Sequence, residues 1–272
     1  MKINPTELRE LAALIHRHSG IVIDSSKAYL VESRLSPMLE ESALSSFGAL
    51  IAAVRNAPPL INQIIDLMTT NETSFFRDQK PYTLLTEKLL PDWLGKQRNG
   101  PGNLDIWSSA CSTGQEVYSI AMTLSDFFKK NLFYHTIKIE ATDISDSAIT
   151  KASRGQYSPL DVSRGLDAAS LNKFFLREGT SWKIKDELRS LAHFEQTNLL
   201  SSTIATHSFD IIFCRNVAIY FSATDRQRLF AQISKRLKEN GVLIIGSTES
   251  LFGINKHLKR MEHNGSPYYM LR

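Results

Sequence analysis

The chain has 272 residues, of which 42% are hydrophobic and 22% charged, so it can bury one large core or two smaller ones. Its net charge of +4 is spread along the chain rather than clustered, which argues against a nucleic-acid-binding surface. No apolar run reaches the roughly 18 residues of a membrane-spanning helix and no signal peptide is visible, so we expect a cytoplasmic protein without direct membrane insertion. The two cysteines, Cys111 and Cys214, lie far apart and match no zinc-binding pattern, so we expect reduced thiols and no metal.

The first 70 residues predict a helical domain without strands. Pro5 stands at a first-turn position, apolar residues follow at helical spacing, and Gly20 ends the first helix. Pro37 predicts a kink or an early end in the second helix. The helices after the first are predicted over residues 25–41, 46–56 and 58–68.

Beyond residue 80 the pattern changes to short apolar runs that alternate with helices. A helix that ends near Trp93 is followed by a polar, Gly-rich linker over residues 95–102. Such alternation predicts a parallel α/β sheet, with the domain boundary near residues 70–80. The strands are predicted over residues 104–108, 137–142, 209–214 and 242–246.

Two stretches depart from this alternation. Residues 156–197 are too irregular for one crossover helix and predict an inserted subdomain. Near the end, Asn264-Gly265 separates two strand-like runs within residues 258–271, which is a strong hairpin signal. An antiparallel last strand is similar to the way class I methyltransferase sheets finish, and differs from nucleotide-dehydrogenase sheets.

Residues at the carboxyl ends of the first two predicted strands indicate a nucleoside-bearing cofactor. The first strand leads into a loop of small residues over 108–116, through which backbone can approach a ligand. Asp143 ends the second strand, where a carboxylate can accept hydrogen bonds from both ribose hydroxyls. Asp143 can instead cap the following helix, a role for which Ser145 and Asp146 compete.

The strand over 209–214 ends in a segment that mixes polar and apolar residues. Asn216 and Tyr220 stand among apolar neighbours where the site is expected. A purely structural role remains open for each residue. Tyr220 can be a core aromatic whose hydroxyl is bonded to a carbonyl, and Asn216 can be a turn residue.

Seven motifs, in order along nearly the whole chain, resemble the chemotaxis receptor methyltransferase family, CheR. They are TNETSFFR (70–77), ACSTG (110–114), ATDIS (141–145), NLL (198–200), RNV (215–217), IYF (219–221) and GSTES (246–250). The resemblance implies a class I methyltransferase that depends on S-adenosylmethionine, with a Rossmann-like, mostly parallel seven-stranded sheet and an antiparallel terminal hairpin. It also implies an N-terminal helical domain over 1–70 and a catalytic domain over 71–272 that carries a small β-subdomain at about 156–197.

The implied reaction transfers a methyl group from S-adenosylmethionine to glutamate side chains of methyl-accepting receptors, leaving S-adenosylhomocysteine. Asp143 would bind the ribose, and Glu116 and Arg77 would lie towards the methionine end. Arg77 and Tyr220 would orient the substrate carboxylate, although Arg77 can alternatively pair with Asp78 or Glu72. The cofactor residues implied by the resemblance are Asn71, Thr73, Arg77, Glu116, Asp143, Asn198, Leu199, Asn216 and Val217.

The resemblance also implies that the helical domain docks, as part of a monomer, on the cytoplasmic helical bundle of a receptor. Lys27 and Arg34 are candidates for this contact, but the first 68 residues carry six Lys/Arg against seven Asp/Glu. No Gly-rich extension stands around residues 177–182, so we expect recognition without the receptor's C-terminal pentapeptide.

Two other functions are weighed against this one. A non-catalytic module that binds the cofactor or another nucleotide and docks signalling partners is the main alternative, and retention of Arg77, Glu116 and Tyr220 argues against it. A nucleic-acid methyltransferase would show an Asn/Asp-Pro-Pro-Tyr-like site or a Pro-Cys motif, and the sequence contains neither.

Overall fold

The computed structural model describes residues 1–57, 59–97, 100–201 and 207–272. These residues form two compact units, one of Met1–Thr70 with Ile219–Arg228, the other of Asn71–Ala218 with Leu229–Arg272. Pro58, the predicted start of the fourth helix, and residues 98–99 of the predicted linker lie outside the described residues. Within the described ranges, no helix has both the length and the apolar composition needed to cross a membrane.

The first unit is built on helices α1 (Pro5–Ser19), α2 (Ala28–Glu41), α3 (Phe47–Asn56) and α4 (Leu60–Met68), and a 3-10 turn (Ser25–Lys27) precedes α2. A capping box starts α1. The Asn4 side chain accepts hydrogen bonds from the N–H groups of Thr6 and Glu7, and the Glu7 carboxylate accepts one from the Asn4 N–H. Gly20, with φ of 77°, ends the helix as predicted.

Helix α2 ends at Glu41, the end of its predicted range, and of the two alternatives predicted for Pro37, a kink or an early end, the early end does not occur. A proline inside a helix removes one backbone hydrogen bond. On both sides of Pro37, however, α2 buries apolar side chains, among them Leu35, Met38 and Leu39. We attribute the continuation of the helix to this burial, which offsets the lost hydrogen bond.

Arg34, a predicted receptor contact, has a structural role within the same unit. Its Nη1 atom donates to the carbonyl oxygens of Met68 (2.7 Å) and Thr69 (2.8 Å), and its Nη2 atom donates to Thr70 Oγ1 (3.1 Å). The guanidinium thereby satisfies carbonyl groups that the end of α4 leaves without helical partners. Lys27 Nζ lies 3.4 Å from the Val22 carbonyl and 3.9 Å from the Asp24 carboxylate, which are longer contacts.

The second unit begins with helix α5 (Lys80–Leu84), which continues through a π-helical turn (Leu85–Leu89) into α6 (Leu90–Gly95). Its further helices are α7 (Gln115–Phe128), α8 (Asp146–Arg154), α9 (Pro159–Ser163), α10 (Ala168–Phe174), α11 (Asp186–Arg189) and α12 (Ala223–Ser234), whose first residues belong to the first unit. The strands are β1 (Asn103–Ser108), β2 (Thr136–Asp143), β3 (Gln156–Tyr157), β4 (Phe175–Glu178), β5 (Ser181–Ile184), β6 (Ala192–Gln196), β7 (Phe209–Cys214), β8 (Leu237–Ile245), β9 (Leu258–His263) and β10 (Ser266–Leu271).

The main sheet has seven strands in the order β6-β2-β1-β7-β8-β10-β9. The pairs from β6 to β8 are parallel, whereas β10 is antiparallel to both β8 and β9. This confirms the predicted mostly parallel sheet with its antiparallel terminal hairpin. Asn264 and Gly265 both have positive φ, 47° and 72°, as a tight two-residue hairpin turn requires.

The inserted segment forms a separate antiparallel sheet in the order β3-β5-β4. Strand β6 also lies within the predicted insertion, but it pairs in parallel with β2 and belongs to the main sheet. The difference from the prediction arises because β6 is an edge strand that remains largely exposed, so its sequence lacks the apolar run typical of a buried parallel strand.

We expect Asn4→Ala to lower the free energy of unfolding by about 1 kcal/mol, because it removes the acceptor that satisfies two N–H groups at the start of α1. Urea denaturation measures the change. Asn4→Asp, which retains a capping oxygen, is the matched control and should stay near the wild-type value. Equal losses for both variants would contradict a capping role.

Candidate active site

The carboxyl ends of β1, β2, β7 and β8 meet at one edge of the main sheet, which is where open α/β sheets bind their ligands. The residues that follow these strands carry most of the predicted site. They comprise the loops at 109–114, 144–145, 215–217 and 246–250.

The loop after β1 is held from both sides. The Ser109 N–H donates to the Phe213 carbonyl at the end of β7, and the Cys111 N–H donates to the Thr142 carbonyl in β2, each at 2.9 Å. Gly114 has φ of 91°, and a β-carbon there would lie 2.9 Å from the Tyr157 hydroxyl. The loop therefore requires glycine at this position and presents closely packed backbone at the sheet edge.

Asp143 is fixed by backbone donors on both of its carboxylate oxygens. Oδ2 accepts from the Ser112 N–H (2.8 Å) and Oδ1 from the Ser145 N–H (3.0 Å), and the residue is 8% exposed. Ser145, not Asp143, caps α8, since its hydroxyl accepts from the Ala148 N–H. A carboxylate offers about four lone-pair positions, which is the kind of acceptor that a ribose diol requires.

The junction segment, residues 71–78, passes close to the same loops. The Asn71 side chain donates to Ser145 Oγ (3.2 Å), and its carbonyl oxygen accepts from the Ser112 hydroxyl (3.1 Å). These contacts bring Asn71 next to the residues that orient Asp143. Thr73 lies half-buried further along the segment.

Phe75 anchors the junction segment in the inserted subdomain. Its ring is 1% exposed and makes edge-to-face contacts with Tyr157 and Phe175, with centroids 5.0 and 5.6 Å apart. Gly165 approaches so closely, at φ of 109°, that a β-carbon on it would overlap the Phe75 carbonyl. The Phe76 N–H donates to Ser119 Oγ on α7 at 2.9 Å.

Neither alternative ion pair of Arg77 forms among the residues that the structure describes. The Arg77 Nη1 atom donates to the Glu72 carbonyl oxygen at 2.9 Å. The Glu72 carboxylate instead contacts Arg164 at 3.7 Å, and the Asp78 carboxylate contacts Arg215 at 2.9 Å. The half-buried Arg77 guanidinium therefore keeps donors that are available to a ligand.

Glu116, at the start of α7, is held in a buried ion pair that sequence reasoning did not find. Its Oε2 contacts Arg215 Nη1 at 2.7 Å, and its Oε1 accepts from the Ser108 hydroxyl at 2.8 Å. Burial opposes the charge on Arg215 most strongly, but Glu116, Tyr82 and Asp78 together outweigh it, so the pKa of the guanidinium is raised. A charged residue directly after a buried strand must find a partner, but the sequence does not say which carboxylate supplies it.

Glu249, in the segment that follows β8, organises the loop after β7. Its two carboxylate oxygens accept hydrogen bonds from the N–H groups of Asn216 (2.9 Å), Ala218 (3.0 Å) and Gly246 (2.8 Å). Asn216 has φ of 57°, so the turn interpretation of this residue is correct for its backbone. Val217, between Asn216 and Ala218, is held half-buried at the sheet edge.

The remaining predicted residues lie in two places. Asn198 forms a side-chain turn after β6, in which its Oδ1 accepts from the Leu200 N–H at 2.9 Å, and Leu199 is buried beside it. Tyr220 belongs to the segment grouped with the first unit, where its carbonyl oxygen accepts from the Val22 N–H at 3.0 Å. Hydrogen bonds thus tie Asn71 and Asp143 to the same loops at the sheet edge, and Tyr220 is described with the other unit.

The burial of both cysteines at this edge disfavours catalysis by a cysteine nucleophile. Burial raises the pKa of the Cys111 thiol well above its ordinary value, with a further contribution from Asp143, and burial likewise raises the pKa of Cys214. Across the described residues, no group of three or more His, Cys, Asp or Glu side chains is arranged to hold a metal ion.

Comparisons with known proteins agree along almost the whole chain. Residues 71–266 match the family model described as the CheR methyltransferase SAM binding domain, and residues 6–69 match the CheR methyltransferase all-alpha domain. The chemotaxis protein methyltransferase Cher2 of Pseudomonas putida is 37% identical over 96% of this chain and 96% of its own length. Chemotaxis protein methyltransferase 1 of Pseudomonas aeruginosa is 38% identical over 91% of each chain.

A third relative, the chemotaxis protein methyltransferase of Vibrio parahaemolyticus, is 38% identical over 99% of this chain and 98% of its own length. The family models and these nearly full-length matches show that the chain belongs to the CheR family of chemotaxis methyltransferases, whose cofactor is S-adenosylmethionine.

Proposed function

We propose that this chain transfers a methyl group from S-adenosylmethionine to glutamate side chains of methyl-accepting chemotaxis receptors, giving glutamyl methyl esters. The observation that carries the proposal is the pair of buried carboxylates, Asp143 and Glu116, fixed by protein donors at the edge of a methyltransferase-type sheet. Two oriented acceptors suit a ligand with a ribose diol at one end and an ammonium at the other.

The proposed cofactor site uses the predicted residues in separate roles. Asp143 accepts from the ribose, Glu116 faces the amino-acid end, and Asn71, Thr73 and Arg77 border the cofactor from the junction segment. The rest of the site lies in the loops after β6 and β7 and consists of Asn198, Leu199, Asn216 and Val217. Gly114 is closely packed and Ser112 has a positive φ of 50°. Both features support the proposal that the backbone of this loop contacts the cofactor.

The chemistry requires alignment more than acid–base catalysis. The sulfonium cofactor supplies an already activated methyl group. A glutamate with an ordinary pKa of about 4.3 is ionised at neutral pH and needs no general base. One carboxylate oxygen forms the new O–CH₃ bond while the S–CH₃ bond breaks, and the electron pair of that bond stays on sulfur. The protein contributes by holding the reacting atoms about 3–3.5 Å apart in a site that excludes water.

Arg77 and Tyr220 are proposed to orient the substrate carboxylate, Arg77 through a charge-assisted hydrogen bond and Tyr220 through its hydroxyl. An interaction that is too strong would stabilise the ground-state carboxylate more than the transition state, in which the negative charge disperses. Arg77 is therefore proposed to position the nucleophile rather than to bind it tightly. The bond from Arg77 Nη1 to the Glu72 carbonyl, which restrains the guanidinium, supports this role.

The helical segment 1–70 is proposed as the receptor-docking domain, acting in a monomeric enzyme on the cytoplasmic helical bundle of the receptor. Lys27, whose side chain is exposed, is the better of the two basic candidates, because Arg34 is bonded to the end of α4. Residues 71–272 are proposed as the catalytic domain. The turn between β4 and β5 supports recognition without the receptor's pentapeptide, since only Gly179 and Thr180 separate the paired residues Glu178 and Ser181.

We expect Arg77→Ala to lower the methylation rate at saturating cofactor and receptor by about a hundredfold or more, because the carboxylate loses its positioning donor. Transfer of labelled methyl groups to receptor-bearing membranes measures the rate. Arg177→Ala, on the exposed strand β4, is the control and should leave the rate unchanged. Near-normal turnover by Arg77→Ala would remove the residue from catalysis.

Asp143→Asn is expected to weaken the binding of S-adenosylhomocysteine by about ten- to a hundredfold. An asparagine amide must point its own N–H₂ group at the N–H of Ser112 or Ser145, so one of the two orienting hydrogen bonds is lost. Titration calorimetry measures the affinity, with Asp146→Asn in the exposed first turn of α8 as the control. Equal affinities for the two variants would contradict ribose binding by Asp143.

A synthetic pentapeptide that copies the C-terminal tail of the receptor should give no binding heat with this protein. The two-residue turn between β4 and β5 offers no extended loop to hold it. A receptor fragment without the tail should be methylated as fast as the full-length fragment. Micromolar binding of the peptide, or a rate that depends on the tail, would show that the receptor is tethered.

A further inference from the structure

We propose that Arg215 is a positioning residue that links the amino-acid end of the cofactor site to the junction segment. The proposal rests on the proposed function, because it assumes that Glu116 faces the cofactor. In this role Arg215 contacts neither the reacting atoms nor the substrate. It transmits the state of Glu116 to the backbone around Arg77.

The geometry of Arg215 supports a linking role. The side chain is 2% exposed, and its Nη1 atom donates to Glu116 Oε2 at 2.7 Å. On the opposite side, Nη2 donates to the Arg77 carbonyl oxygen at 2.8 Å and to Asp78 Oδ2 at 2.9 Å. One planar guanidinium therefore spans the start of α7 and the end of the junction segment.

The segment held by Arg215 is strained. Phe76 and Asp78 have φ of 49° and 57°, in the left-handed region that residues with a side chain seldom adopt. Contacts that act against relaxation of this backbone include the bond from the Phe76 N–H to Ser119 Oγ, the bond from the Ser247 hydroxyl to Asp78 and the bonds from Arg215. Of these, only the bonds from Arg215 hold both the Arg77 carbonyl and the Asp78 carboxylate, so their loss would loosen the backbone around Arg77.

The charges around Arg215 favour coupling to a cationic ligand. Glu116 and Asp78 carry two negative charges against the single positive charge of Arg215, so the cluster has a charge of −1. An ammonium group at Glu116 would neutralise it. The Glu116 carboxylate would then interact with both the ligand and Arg215. As its attraction for Arg215 weakens, the bonds from Arg215 to Asp78 and to the Arg77 carbonyl become stronger by comparison.

Stability alone does not account for this arrangement. Removing a guanidinium from water is costly, and a buried ion pair often stabilises a fold no better than apolar residues of the same size. The Nε atom of Arg215 is buried and, in the described part of the chain, has no hydrogen-bond partner, which adds to that cost. A role in positioning accounts for a cation in so unfavourable an environment.

The test compares Arg215→Met and Arg215→Lys with Lys238→Met. Lys238 likewise joins two carboxylates, Asp105 and Asp210, at 2.7 Å each, but at the amino-terminal ends of the strands. Hydrogen exchange of the amides at 75–80 is measured with and without S-adenosylhomocysteine, together with its calorimetric affinity, the thermal midpoint and receptor methylation.

In the wild type, S-adenosylhomocysteine should slow exchange at 75–80. Arg215→Met should abolish that slowing and reduce the turnover number by more than the roughly tenfold loss expected in affinity. Arg215→Lys should restore part of both. Lys238→Met should lower the thermal midpoint and keep the ligand-dependent slowing of exchange. Should Arg215→Met fail to fold, Arg215→Lys and Asp78→Asn, which also weakens the link, give the same comparison.

The proposal is overturned if the Arg215 variants lower only the thermal midpoint, or if the ligand does not slow exchange at 75–80 in the wild type. Failure of the proposed function has a different signature. In that case the wild type binds S-adenosylhomocysteine and protects the segment, yet methylates no receptor.

Discussion

The candidate active site depends on carboxylates that accept hydrogen bonds from loop backbone. A strand that ends at a ligand-binding edge leaves N–H groups without ladder partners, and buried N–H groups must be satisfied. Asp143 satisfies those of Ser112 and Ser145, and Glu249 satisfies three more after β7 and β8. The same bonds that complete the fold therefore fix the shape of the proposed cofactor site.

Much of the fold can be predicted from the sequence because its signals are local. Apolar runs identify four strands, and Asn264-Gly265 identifies the terminal hairpin, because each reflects the conformational preference of a few adjacent residues. Strand β6 could not be predicted in this way. Its pairing with β2 depends on tertiary packing, which a local pattern does not contain.

The site divides along the same line. Asp143 can be proposed as a cofactor residue from its position at the end of a strand, since a nucleoside bound there requires an acceptor. The pairing of Arg215 with Glu116 joins residues 99 positions apart, and the contacts of Glu249 with Asn216 and Ala218 also cross between strands. Such pairs follow from sheet order, so only the folded chain reveals them.

The packing of Phe75 has a consequence for engineering. Its ring lies between Tyr157 and Phe175 of the inserted subdomain, and Gly165 leaves no space for a side chain beside its carbonyl. The small sheet is thus packed directly against the junction segment. A chimera that receives this sheet from a relative must also receive the aromatic pair and the glycine, or the junction segment will lose this packing.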